Sequence, residues 1–204
     1  MNLDTIFIKE KDEFLKINKF IRNVFNTESA LPEQVFAKNF SNYLFEEFDW
    51  TMNGEFWDFI KTLADKTGDS QVFSVVIDPN QLDYFYKEFN YFNCVKLPVC
   101  LENSQYFEVL ELGPKGSPAD AILYNSNIVV WTSPSMKWGV WGQRQYGTCI
   151  MAFNKDLKID DLMPYFKSWK SADKALESWV AMNFSNQRIP EEFMKIFCMN
   201  YSMG

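Results

Sequence analysis

An α+β fold is predicted for this chain. An antiparallel meander sheet should span about residues 72–153, carry one embedded helix, and be bracketed by N-terminal and C-terminal helices. Three observations predict it. From Ala121 to Asn154 the charged residues are Lys137 and Arg144 alone, and short β-branched and aromatic runs there alternate with Asn, Ser, Pro and Gly clusters. Such runs between turn signals read as antiparallel strands. On both sides of the sheet region, apolar residues recur instead at three- and four-residue spacing, the helical period. No repeat, low-complexity run or polar linker divides the chain, so residues 1–204 read as one domain: a helical part (1–70), the sheet core (71–154) and C-terminal helices (155–204). Helices with one apolar stripe need the sheet to bury it.

The elements follow in order. Phe14, Ile17, Phe20, Ile21, Val24 and Phe25 give a helix over 9–25. Pro32 and Glu33 suit the first turn of a second helix, running to about Asp49 with Val35, Phe36, Phe40, Tyr43, Leu44 and Phe48 inward. A third follows Asn53-Gly54 and stops at Thr67-Gly68-Asp69. The period then changes, and Val72–Ile77 reads as a strand. Asp78-Pro79-Asn80-Gln81 is read as the start of the embedded helix, with Asp78 as its cap and Phe85 and Phe89 on its buried face. Cys94–Val99 and Tyr106–Leu112 are two further strand candidates, and Gly113–Pro118 turns into the meander. In the last third, Asp160 is placed to cap a helix through Trp169, Ser171 one through Phe184, and Pro190-Glu191-Glu192 opens a final helix to about Asn200.

Composition bounds the function. The chain has 204 residues, is 47% hydrophobic and 18% aromatic, and carries a net charge of −7. A chain this long buries about 70% of its unfolded surface and needs no metal or disulfide staple. Its acidity argues against direct nucleic-acid binding, which draws on Lys and Arg at phosphates. Cys94, Cys100, Cys149 and Cys198 show no metal or redox spacing and read as buried free thiols. With no basic-then-apolar leader and no apolar run of membrane length, a cytoplasmic protein without membrane contact is expected.

Chemistry is hard to find. There is no histidine, which removes the commonest general base and metal ligand and every Ser-His or Cys-His pair. Gly113–Gly116 lacks the spacing and the Lys-Ser/Thr of a phosphate loop, and no Gly-x-Gly-x-x-Gly follows the strand at 72–77. No catalytic residue, metal ligand or cofactor-binding residue is assigned.

Charge distribution says more than total charge. From Glu28 to Asp58 seven acids face one base, a local charge of −6. Within it, Phe45-Glu46-Glu47-Phe48-Asp49-Trp50 combines carboxylates that would steer a basic protein with aromatics that would anchor it. Glu46, Glu47, Asp49, Trp50, Glu55 and Asp58 are therefore the candidate partner-binding residues, expected on one exposed surface together with Glu33. Arg144, nearly alone in charge within the apolar sheet, is a candidate ligand or partner contact with Tyr146, Trp138 and Trp141. The leading expectation is an acidic protein-binding module neutralising a basic partner. Small acidic inhibitors, including immunity proteins against bacterial toxins, share this charge and size, although no motif here places the chain among them. Two alternatives stay open: a structural or assembly subunit without chemistry, and a small-ligand protein or enzyme using carboxylates and Arg144 in a cleft lined by Trp131, Trp138 and Trp141.

Overall fold

In the computed structural model, which describes residues 3–155, 157, 164 and 168–202, the uncharged stretch is the middle of a six-stranded antiparallel sheet. The strands are β1 (Asn42–Glu47), β2 (Gln71–Asp78), β3 (Cys94–Pro98), β4 (Ile128–Thr132), β5 (Trp138–Gln143) and β6 (Thr148–Phe153), in the spatial order β1-β6-β5-β4-β2-β3. Strands β4, β5 and β6 form the expected meander, with Trp131 opposite Val140 and Trp141 opposite Ile150. Every residue of these three strands is buried. Both faces of the sheet are therefore covered, and this explains why the stretch carries almost no charge: neither side of the pleat meets water.

The pleat divides the core in two. Val129, Trp131, Trp138, Val140, Cys149 and Met151 enter one apolar cluster with Phe56, Trp57, Ile60, Tyr106 and Leu110. Val130, Trp141, Ile150 and Ala152 enter the other with Phe14, Ile21, Phe25, Phe36, Phe193 and Phe197. The first face is covered by α2 (Gly54–Thr67) and α4 (Asn103–Glu111), the second by α1 (Lys11–Ile21), α6 (Glu191–Tyr201) and the segment 24–40. The result is three layers, an antiparallel sheet between two covers. At Gly139 the cover touches the sheet backbone, since a Cβ there would meet Phe25 Cζ at 2.9 Å.

Several helices match their sequence signals. Asn53 caps α2 by accepting from the Phe56 amide at 3.1 Å, and Gly68 closes it with φ 76°. Residues Val24 and Phe25 leave α1, and Phe25 bridges to Phe36 instead. Both edge strands are blunted by a single bridge: Phe7 with Val95 on β3, and Lys170 with Phe45 on β1.

Four expectations are corrected. The helix over 31–49 does not form: 31–40 is turn and loop, and 42–47 is edge strand β1, paired to β6 from Asn42↔Phe153 to Glu47↔Thr148. The apolar residues 35 to 48 fit a helical period, but β6 has an open edge and a strand satisfies its backbone, so tertiary pairing overrides local pattern. Conversely 106–112 is not a strand but lies in α4, where Tyr106, Val109 and Leu110 are buried and Glu102 and Gln105 form a capping box. The outward Glu108 and Glu111, awkward for a strand, fit a helix. Third, Asp78 ends β2 rather than capping a helix; Asn80 is the cap, its Oδ1 accepting from the amides of Leu82 and Asp83 at 2.9 and 3.0 Å. The π-helical turn Gln81–Tyr86 then leads into α3 (Lys87–Phe89). Fourth, the helix expected over 171–184 is broken into α5 (Ala172–Ala175), a π-helical turn Leu176–Val180 and a 3-10 turn Ala181–Asn183. The helix expected from Asp160 lies outside the described residues.

All four cysteines are free thiols. Cys94 and Cys149 are buried, and burial pushes both thiols far up from their ordinary pKa; Cys100 is exposed and Cys198 half-buried, against the expectation that all four are inside. Among the described residues, no helix is long and apolar enough to cross a membrane.

Candidate functional site

The acidic window does not form one surface. Glu33 is exposed in the segment over the second face, where its carbonyl accepts from Tyr201 Oη of α6. Glu55 is exposed in the first turn of α2, over the first face. Glu46 is 5% exposed, because at its position in β1 the side chain points toward the first core; its Oε1 accepts from the Glu47 amide at 2.9 Å. Asp58 is engaged by Lys61 at 2.9 Å and Asn103 at 2.6 Å. Burial pulls its pKa up, but these hydrogen bonds and the lysine charge outweigh it and hold the carboxyl below its ordinary value. Trp50 is half-buried, edge-on to Phe56 and Trp169, and serves as cover for the core.

The tryptophan-lined cleft is also corrected. Trp131, Trp138 and Trp141 are fully buried, and they divide between the two cores: Trp131 and Trp138 in one, Trp141 in the other. Successive pleat positions point to opposite faces, so tryptophans at both parities of β5 cannot line one wall.

What the structure brings together is Glu47, Asp49 and Arg144. Strand β1 ends at Glu47, and the 3-10 turn Phe48–Met52 carries Asp49 outward while Phe48 turns into the first core. Beside them lies the β5–β6 turn, Arg144–Tyr146 followed by Gly147. The two turns are joined by the Phe48 amide, which donates to the Gly147 carbonyl at 3.0 Å. Glu47, Phe48, Asp49, Arg144, Gly147, Trp179, Met182 and Asn183 line a cleft of about 420 Å³, within the roughly 300–1,000 Å³ typical of ligand pockets.

Arg144 is a fixed member of this cleft. Its Nε donates to the Ser126 carbonyl at 3.0 Å and its Nη2 to the Leu123 carbonyl at 2.8 Å and Ser126 Oγ at 3.3 Å. The guanidinium carbon sits 4.6 Å from the centre of the Phe48 ring. Burial lowers the Arg144 pKa, and the negative charge of Asp49 opposes that shift. The arginine thus pins the 121–127 loop to the sheet. Tyr146 anchors the opposite wall: it stacks on Phe184 at 5.8 Å and meets Phe193 at 5.0 Å, and burial raises its phenol pKa.

The wall itself comes from the broken helix. Trp179 lies in the π-helical turn, and Lys170 Nζ rests 4.2 Å from its ring centre. Met182 is 68% exposed. Gly147 adopts φ 60°, and a Cβ there would approach Asn183 Nδ2 to 2.9 Å. Trp179, Met182 and Asn183 went unassigned in the sequence because they fit the apolar stripe and tail of a C-terminal helix. Only its packing against the 144–147 turn puts them opposite Glu47 and Asp49.

Glu47 and Asp49 are both exposed, and among the described residues neither carboxylate has a hydrogen bond or ion pair. No group of three or more Cys, Asp or Glu able to hold a metal occurs among the described residues. No protein-family profile matches this chain, and neither a curated protein nor a solved structure matches it.

Proposed function

We propose that this protein is a binding module for a basic protein partner, which it engages through the cleft beside Arg144. The observation that carries this reading is the pair of exposed carboxylates, Glu47 and Asp49, at a concave site, neither with a hydrogen bond or close ion pair among the described residues. In the same window Glu46 accepts through one oxygen from the backbone, Asp58 engages Lys61 and Asn103, and Glu28 engages Arg22, while Glu33 and Glu55, also exposed, lie away from the cleft lining. Like charges close together cost stability through repulsion, and the Arg144 charge that acts on Asp49 makes its hydrogen bonds to carbonyls rather than to either carboxylate. The net charge of −7 adds long-range attraction for a cationic surface. Trp179 and Met182 offer apolar contact next to the charges, as protein interfaces commonly do.

Association kinetics test the reading. A fluorescent peptide of mixed Lys and Arg content is mixed with wild type and with Glu47→Lys/Asp49→Lys. The association rate should fall for the variant and fall again with salt, since charges are screened within about 8 Å at physiological ionic strength. A rate indifferent to both changes would make the carboxylates ordinary solvated surface and favour a structural or assembly subunit.

A further inference from the structure

We infer that a second site, a cavity between α1 and the end of β2, takes a small uncharged ligand bearing a primary carboxamide. It is independent of the reading above and shares no residue with the cleft beside Arg144. Phe14 on α1, Thr27 in the loop that follows it, Val75 on β2 and Gln81 in the π-helical turn are among the residues that line about 110 Å³ of space. A single water takes about 30 Å³ in the liquid, so the cavity has room for a group of several heavy atoms.

Two of these side chains keep a polar atom without a partner. Gln81 is 5% exposed, and its Nε2 donates to the Val76 carbonyl at 2.7 Å and the Asn93 carbonyl at 3.1 Å. Turning the amide over would set its oxygen against two carbonyls, so its orientation is fixed. Among the described residues its buried Oε1 has no donor, and the buried Oγ1 of Thr27 has no partner either. The loop carrying Thr27 is itself held in place, with the Asn26 amide on the Val35 carbonyl at 2.9 Å. Buried polar atoms left unpaired are costly, and folded proteins satisfy nearly all of them. The amide oxygen of Gln81 only accepts, so the ligand must donate; the Thr27 hydroxyl has a proton to give, so the ligand must also accept. A primary carboxamide carries both functions on one flat group. Nothing in the lining calls for a charged ligand. Its two ionic side chains, Arg22 and Glu28, pair with each other at 2.6 Å, and Phe14, Val75 and Leu82 would strip water from an ion without replacing it.

The test uses propionamide, butanone and propionate, which share a shape but differ in donor and charge. Each is titrated into the full chain and followed by NMR of the backbone amides and the Gln81 side-chain amide. Propionamide should bind about tenfold tighter than butanone, the change that one hydrogen bond to a buried group makes. It should also bind tighter than propionate, with shifts centred on Thr27, Val76 and Gln81. Thr27→Val keeps the side-chain shape and removes the hydroxyl; it should weaken propionamide about fivefold and leave the fold intact. Gln81→Met should weaken it further, but it also cuts the bonds to the Val76 and Asn93 carbonyls, so Thr27→Val decides. Glu47→Gln/Asp49→Asn, in the other cleft, should leave propionamide affinity unchanged. The inference is overturned if propionamide does not bind, if butanone or propionate binds as well, if Thr27→Val binds like wild type, or if the shifts gather elsewhere. Internal water alone then meets the two unpaired atoms.

Discussion

The two ends of strand β5 carry carboxylates in opposite circumstances. At one end the β4–β5 turn is locked by Asp69, which follows α2. Its Oδ2 accepts from Ser133 Oγ at 2.7 Å and Ser135 Oγ at 2.6 Å and also from Thr67 Oγ1, and its Oδ1 accepts from the Ser135 amide at 2.9 Å. Burial pulls the Asp69 pKa up, but the donors from Ser135, Thr67 and Ser133 outweigh it and hold the carboxyl below its ordinary value. At the other end the β5–β6 turn is locked by Arg144 on carbonyls, and Glu47 and Asp49 stand beside it exposed, with no hydrogen bond to either carboxylate among the described residues. The first carboxylate closes a turn; the other two face an open cleft. Counting donors, rather than acids, separates a structural carboxylate from one available to a partner.

Arg144→Ala should break the comparison hardest. It leaves the Leu123 and Ser126 carbonyls without their charged donor and removes the group lying on Phe48, at a cost of about 2–4 kcal/mol in urea unfolding. Asp69→Ala should follow at about 2 kcal/mol, because buried Ser133 loses its acceptor. Gly147→Ala, forced to keep φ 60° against Asn183, should cost about 1–2 kcal/mol and weaken peptide binding by displacing the cleft wall. Glu47→Gln/Asp49→Asn should change stability by less than about 0.5 kcal/mol, whatever it does to binding. A loss as large as that of Asp69→Ala would show that these carboxylates are structural after all.

A pH series sharpens the same contrast. Because the folded-state pKa of Asp69 lies below its ordinary value of 3.8, its contribution is fully present above that value and is lost as pH falls through the folded-state value. Asp69→Asn should therefore flatten part of the acid limb of the stability curve below about pH 4. Asp120, held down against burial by Ser117, Tyr84 and Asn125, contributes in the same window and keeps the limb from vanishing.

The meander was legible in the sequence because a sheet buried on both faces excludes charge, and runs such as Ile128–Trp131 between turn residues leave few other options. The boundaries of α2 were legible from Asn53 and Gly68, whose roles are local. Strand β1 was not: its period was ambiguous, and the vacant edge of β6 that decides it lies a hundred residues away in the chain, opposite Thr148–Phe153. The site divides along the same line. By itself the sequence determined the fold class, the acidity, and that Glu47, Asp49 and Arg144 carry charge beside apolar neighbours. Only the tertiary structure decided that Glu46 points inward, that Trp138 and Trp141 lie on opposite faces, and that Trp179 and Met182 complete a cleft. The reason is physical: charge and local period belong to neighbouring residues, whereas burial and concavity arise only where segments distant in sequence exclude water together.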